Sequence, residues 1–233
     1  REILYGIKAM RRSFSVSLDR VRSWRASRSL ASPDCIPAVA SEYLVKIMNA
    51  NVYSVAHETP LNYAPTLSAS TGNKVHLKRE DTQPCFSFKI RGAYNRINNL
   101  SPEQRERGVV TCSAGNHAQG VAMSANALGI NATIVMPLAT PQIKVDSVRR
   151  LGGERVEVVL HGENFDAASA EANRRVEKNN QTLIHPFNDP DVIAGQVSSS
   201  SKLPYCMKIN VYVTLRCFLF LLYFTFYTGY NWS

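Results

Sequence analysis

The stretch Val109-Val110-Thr111-Cys112-Ser113-Ala114-Gly115-Asn116-His117-Ala118-Gln119-Gly120 decides how this chain folds. Its first residues are β-branched and apolar, which suits a short buried strand. Ser113 to His117 are small or polar and form a tight loop. Helical spacing then runs from about His117 to Leu128, and Gly129 closes that helix. A strand, a small-residue turn and a helix in this order make the first half of a βαβ unit.

The same alternation continues in both directions. Upstream, Lys74–Lys78 alternates as a strand, Thr82-Gln83-Pro84 turns the chain, and a helix is expected over about Phe88–Asn98. Ser101-Pro102 reads as an N-cap with proline in the first helical position, and Gly108 ends that short helix. Downstream, Ala132–Met136 is a strand, and Thr140-Pro141 caps a helix with Ile143, Val148 and Leu151 on one side. Val156–Leu160 is a strand. Asn164–Asn179 is a helix with a stripe of Phe165, Ala168, Ala172 and Val176, and Thr182–Ile184 is a further short strand. Strands separated by helices of this length predict an α/β fold: a parallel sheet covered by helices on both faces. Ligands on such sheets sit beyond the carboxyl ends of the strands, where Ser113–His117 lies.

Charge is unevenly placed. The 233 residues hold 27 Lys and Arg against 18 Asp and Glu, a formal +9. Residues 1–28 contain eight bases (Arg1, Lys8, Arg11, Arg12, Arg20, Arg22, Arg25 and Arg28) against Glu2 and Asp19, and residues 202–233 contain Lys202, Lys208 and Arg216 with no acid. The span 29–201 is neutral. No large basic field remains there to attract nucleic acid, so no nucleic-acid partner is expected. A hydrophobic content of 45% excludes wholesale disorder. The five cysteines (Cys35, Cys85, Cys112, Cys206 and Cys217) form no C-x-x-C or His/Cys cluster, which argues against a disulfide framework and a metal site and fits a reducing compartment.

The ends differ from the middle. Residues 1–40 form a basic, Ser- and Arg-rich arm with the composition of an organelle transit segment, a disordered basic arm being the alternative. A plastid is the expected destination, with mitochondrion or cytoplasm as alternatives. Residues 202–233 carry ten of the 21 aromatic residues. A bilayer span needs about 20 apolar residues, which Val211–Tyr230 reaches only by including Arg216, costly at depth. The tail is therefore a weak membrane signal, and it is expected to be foreign to the domain that occupies 41–201.

Two segments could carry chemistry. A helical lysine is ordinarily a solvated cation. Lys89, in Ser87-Phe88-Lys89-Ile90-Arg91-Gly92-Ala93, has apolar neighbours, Gly92-Ala93 leave room for a bulky group, and Arg91 disfavours a second charge. Burial depresses a lysine pKa, by up to about 3–5 units when complete. An uncharged amine is what Schiff-base chemistry with a carbonyl needs. Ser113–His117 has two readings. It is a βα turn with Asn116 as N-cap, or it is an anion cradle whose backbone N–H groups at a helix N-terminus hold a carboxylate or phosphate.

Lys78-Arg-Glu-Asp81, Ser87–Ala93, Ser113–Gly120, Met136–Asp146, Leu151-Gly-Gly153 and His185–Gln196 together resemble the serine/threonine dehydratase family of pyridoxal-phosphate (PLP) enzymes, its biosynthetic threonine dehydratase (threonine ammonia-lyase) branch above all, over roughly residues 42–196. The resemblance implies the fold type II (tryptophan synthase β-like) architecture, with a small α/β subdomain at about 88–185 and an incomplete large domain. It implies pyridoxal 5'-phosphate as cofactor, held by Lys89 as Schiff-base lysine, with Asn116 bonded to the ring oxygen and Phe88 packed near the ring. Lys89 would then take the substrate Cα proton. Ser113, Ala114, Gly115, Asn116 and His117 would bind the carboxylate of a small amino-acid substrate, threonine, giving 2-oxobutanoate and ammonia at the start of isoleucine synthesis. A serine racemase or serine dehydratase, or a non-catalytic product, are the alternatives, and a family-type homo-oligomer is admitted.

The family pattern stops at Val197. The glycine-rich loop that cradles the cofactor phosphate in the family has no counterpart, Gly229 being the only later glycine. The serine facing the pyridine nitrogen and the regulatory domain are missing as well. Catalysis by these 233 residues is therefore expected to be poor or absent.

Overall fold

The computed structural model describes residues 38–201. The expected transit arm falls almost wholly outside them, and the apolar tail entirely so. The chain divides between Glu42 and Tyr43 into two compact units. Of the first, only the opening of helix α1 (Ala38–Met48) is described. The second unit holds all the other described elements.

These begin with β1 (Leu61–Tyr63), α2 (Pro65–Thr71), β2 (His76–Lys78), a 3-10 turn (Glu80–Thr82), α3 (Lys89–Asn98) and α4 (Pro102–Arg107). β3 (Val109–Cys112), α5 (Asn116–Leu128), β4 (Ala132–Met136), α6 (Gln142–Gly152), β5 (Val156–Leu160), α7 (Phe165–Asn179), β6 (Thr182–Leu183) and α8 (Pro190–Ser201) complete the order. β1 and β2 pair antiparallel. The other four strands form one parallel sheet in the order β5-β4-β3-β6.

Every residue of β3 and β4 is buried, as central strands covered on both faces must be. Their side chains alternate between two cores. Val109, Ala132, Ile134 and Met136 pack with α3, α5 and α6 through Ala93, Ile97, Val121, Ala125, Val145 and Val148. Val110, Cys112 and Val135 face the other way and pack on Ala168 and Ala172 of α7. The expected parallel sheet with helices on both faces is what the chain forms.

Local signals place most element ends. Ser101 accepts from the Gln104 N–H and Gln104 reaches back to the Ser101 N–H, so α4 opens with a capping box. Asn164 Oδ1 accepts from the Ala167 N–H at 3.0 Å to start α7.

Some expectations fail for identifiable reasons. Ile143 is 75% exposed; α6 buries Val148 as expected, but with Val145 and Gly152 beside it. Phe165 is likewise exposed, because the stripe of α7 narrows to Ala168, Ala172 and partly buried Val176. Thr140 supplies no cap; the N-cap of α6 is Pro141. α8, which the alternation pattern did not reveal, crosses α3 at small residues. A Cβ on Gly195 would stand 2.5 Å from the Arg91 carbonyl oxygen, and one on Gly92 would stand 2.7 Å from the Val192 carbonyl oxygen. The space at Gly92 therefore admits a helix rather than a bound group. Among the described residues, no helix is long and apolar enough to cross a membrane.

Candidate active site

Lys89 is the first residue of α3, directly after Phe88 at the N-cap. A helix N-terminus is a poor place for a cation. Its ammonium is half-buried and has no carboxylate partner among the described residues. Nζ donates to the Pro186 carbonyl at 2.7 Å and lies 5.5 Å from the centroid of the Phe88 ring. Burial lowers its pKa to about 8, so roughly a tenth is uncharged at pH 7, far more than for an ordinary lysine. Arg91 is not the cause. Its guanidinium is fully buried and gripped by Glu80, with Nε to Oε2 at 2.8 Å and Nη2 to Oε1 at 2.9 Å. It also donates to the His57 carbonyl at 3.0 Å, which ties α3 to the segments before β1 and after β2.

α5 meets α3 at Lys89. A Cβ on Gly120 would lie 3.1 Å from the Lys89 carbonyl carbon, so the helices touch backbone to backbone there. Asn116 sits one turn earlier on the same face of α5 and is exposed. It is not an N-cap: Gly115 holds that position, and no side chain caps the helix. The N–H groups of the first turn are therefore open to an anion. The cradle is narrower than the sequence implied. Ser113 N–H donates to the Val135 carbonyl at 3.1 Å, and Gly115 N–H donates to Ser113 Oγ at 3.3 Å. Ala114, Asn116 and His117 supply the amides that remain.

His117 is buried. Its Nε2 lies 3.0 Å from the Ile184 carbonyl, so the proton is on Nε2 and Nδ1 is a lone-pair acceptor. Nδ1 has no hydrogen-bond partner among the described residues. Burial lowers this pKa to about 4, opposed by the Ile184 hydrogen bond and assisted by the nearby Lys89 and His185 charges. A ring this reluctant to accept a proton is a poor acid–base group at neutral pH. His185 accepts from the N–H groups of Phe187 and Asn188 through Nδ1, at 3.3 and 2.8 Å. Its pKa is lowered by burial and by Lys89, with Asp189 opposing.

The predicted residues thus converge beyond the carboxyl ends of β3 and β6. Phe88 and Lys89 arrive on α3, Ser113–His117 on the β3–α5 turn. Residues 184–188 also help form the site. They were visible as part of the family-like segment His185–Gln196, but nothing in the pattern indicated that backbone carbonyls there would hold Lys89 and His117.

The family model described as pyridoxal-phosphate dependent enzyme matches residues 52–201, and Lys89 and the Ser113–His117 turn lie within it. The chain belongs to the pyridoxal-phosphate dependent enzyme family. The chain is 53% identical over 171 residues to threonine dehydratase 1 biosynthetic, chloroplastic, of Solanum lycopersicum, covering 73% of the chain and 28% of the relative. It is 55% identical over 155 residues to the L-threonine dehydratase biosynthetic IlvA of Burkholderia multivorans, covering 66% of the chain and 31% of that protein. Among solved structures, the processed form of threonine deaminase isoform 2 from Solanum lycopersicum superposes with a TM-score of 0.65 at 51% identity, over 69% of the chain and 44% of that protein. Maize serine racemase gives 0.63 at 36% identity, over 67% of the chain and 47% of that protein. The chain therefore spans about 30% of the length of these curated relatives.

The residues present fit the aldehyde end of pyridoxal 5'-phosphate. A half-buried amine with a pKa of about 8 is the donor set that an aldehyde requires. Lys89, still largely a cation at neutral pH and without a carboxylate partner among the described residues, suits an anionic ligand. The described residues offer no glycine cluster for the phosphate, since Gly92 and Gly195 are spent on helix packing.

Proposed function

We propose that this chain carries the cofactor-anchoring and substrate-carboxylate half of a PLP-dependent ammonia-lyase that converts L-threonine to 2-oxobutanoate and ammonia, the entry reaction of isoleucine synthesis. The observation that carries the reading is the Lys89 amine: half-buried, with a pKa near 8, and anchored at 2.7 Å on a carbonyl beyond the sheet. The names of the relatives, which are threonine dehydratases at 53–55% identity, support threonine as substrate.

In this reading Lys89 Nζ, Phe88 and Asn116 are the residues that would hold the cofactor. The cofactor supplies an electron sink for charge developing at the substrate Cα. The amides of Ala114, Asn116 and His117 would hold the substrate carboxylate at the positive end of α5 and orient the Cα–H bond. Once the substrate amine has displaced it, the free Lys89 Nζ would take the Cα proton and deliver a proton to the β-hydroxyl, which would leave as water. The released enamine would tautomerise to an imine and hydrolyse to 2-oxobutanoate and ammonia. The plant relatives described as chloroplastic support a plastid location for the reaction.

A second reading, a serine racemase, is favoured by the likeness to the maize enzyme. One experiment addresses both. The chain extended to the length of its relatives is incubated with pyridoxal 5'-phosphate, then given L-threonine or L-serine, and keto acid and D-serine are measured. Keto acid formed mainly from L-threonine, and lost with Lys89→Ala, supports the dehydratase. D-serine as main product favours the racemase, and failure to take up cofactor overturns both.

A further inference from the structure

The side chain of His117 has no role in binding through backbone amides, yet it is buried and its ring nitrogens are unequally used. Nε2–H reaches the Ile184 carbonyl at 3.0 Å. Two residues on, the Pro186 carbonyl accepts Lys89 Nζ at 2.7 Å. The Ile184 carbonyl also accepts Thr111 Oγ1 at 2.8 Å, and Ile184 N–H donates to the Val110 carbonyl at 2.8 Å. Ile184 is thus pinned from β3 and from α5, whereas the next residues turn on hydrogen bonds of their own to His185 Nδ1. A continuous polar path runs from the α5 N-terminus through His117, Ile184 and Pro186 to Lys89.

We propose that His117 is a positioning residue: its Nε2–H, by holding the Ile184 carbonyl, sets where the Pro186 carbonyl places Lys89 Nζ, and so couples the position of the amine to the carboxylate-binding turn that His117 itself ends. The coupling deepens the proposed lyase reading and rests on it for its functional meaning. The titratable groups facing Lys89 are His117 from α5 and His185 from the segment after β6, and the charge nearest His185 is Asp189 before α8. No carboxylate among the described residues holds Lys89, so the carbonyl tether is what keeps the amine inside.

The test uses the ligand-free full chain. Lys89 is titrated by the pH dependence of its modification with trinitrobenzenesulfonate, read on the Lys89 peptide by mass spectrometry. The wild-type midpoint is expected near pH 8. His117→Phe keeps a flat ring without the donor, and His117→Asn is too short to place a donor at the Nε2 position. Both are expected to raise the midpoint by about one unit or more, as the released amine regains water. His117→Gln, whose amide reaches the Nε2 position, is expected to restore it. A folded His117→Phe or His117→Asn chain with an unchanged midpoint overturns the proposal. Should those variants not fold, the wild-type ring decides: nitrogen chemical shifts at pH 7 must report a neutral imidazole protonated on Nε2, and a charged ring or an Nδ1–H tautomer overturns it. Neither readout needs cofactor or turnover, so this coupling and the lyase reading can fail separately.

Discussion

Gly120 and Lys89 are in backbone contact: a methyl group on Gly120 would sit 3.1 Å from the Lys89 carbonyl carbon and 3.2 Å from its oxygen. The glycine is what lets α5 and its N-terminal turn come up against the residue that carries the amine. Alanine here gains about 1 kcal/mol of helix propensity but forces rigid backbone apart, at about 1–3 kcal/mol. Gly120→Ala is expected to lower stability by up to about 2 kcal/mol, seen as a lower urea midpoint with unchanged slope. Gly115→Ala, where nothing lies within 4 Å, is the control for added bulk and should cost only about 0.5–1 kcal/mol, for exchanging a glycine N-cap for alanine.

A stronger effect is expected where α3 crosses α8. Gly195→Ala would bring a methyl to 2.5 Å from the Arg91 carbonyl oxygen and 2.8 Å from the Gly92 Cα. Both are main-chain atoms, so relief requires separating the helices. A loss of about 3 kcal/mol or more is expected, and thermal unfolding followed by circular dichroism measures it.

Glu80 and Arg91 should behave as a buried pair. Glu80→Gln leaves a fully buried guanidinium with its charge uncompensated, expected to cost about 3–5 kcal/mol. Replacing both by methionine should cost clearly less, which urea unfolding of the single and double variants tests. The pair also predicts a pH dependence. Burial by itself would raise the Glu80 pKa, but hydrogen bonds from Arg91, Thr59 and Gln83 and the Arg91 charge hold it below the ordinary glutamate range. A depressed carboxylate stabilises the fold fully above the unfolded glutamate pKa. That contribution is lost as pH falls through the lower, folded value. Unfolding midpoints of the wild type should therefore fall with acidification below the ordinary glutamate range more steeply than those of the double variant.

Lys89 predicts a slope of the same sign in a separate, alkaline window. Its folded pKa is about 8 against 10.5 for the free side chain. Between those values the unfolded chain binds the extra proton, so stability rises with pH across this window and levels off above it. Lys89→Met removes the cost of a half-buried charge. It is expected to stabilise the chain on the order of 1–3 kcal/mol at pH 7 and to lose most of that advantage by pH 10. Urea unfolding of both chains at the two pH values decides it; a methionine variant less stable at pH 7 would mean the amine is not held away from water. A stabilising loss of the reactive amine is the usual trade between activity and stability.

Much of this molecule was readable one segment at a time. The strands Ala132–Met136 and Val156–Leu160 fall where their apolar residues place them, the first as the continuous hydrophobic run of a central parallel strand, the second as a partly buried edge strand that also carries Glu157. Ser101-Pro102 and Asn164 start helices for reasons contained in their own next three residues. Ile143 and Phe165 misled because a helical stripe says which residues could be buried, and only the sheet beneath says how wide a stripe it covers. The antiparallel partner of His76–Lys78 was not visible, since three-residue strands carry little periodic signal.

The order of strands and helices between Lys89 and Leu183, the lysine with apolar neighbours and the small-residue turn were determined by sequence, because each depends on interactions within a few residues. What surrounds the lysine was decided only by the fold. Its carbonyl partner lies 97 residues away at Pro186, and the carbonyl held by His117 lies 67 residues away at Ile184. Those atoms meet because β6 pairs beside β3 in a parallel sheet, a non-local register that no local pattern encodes.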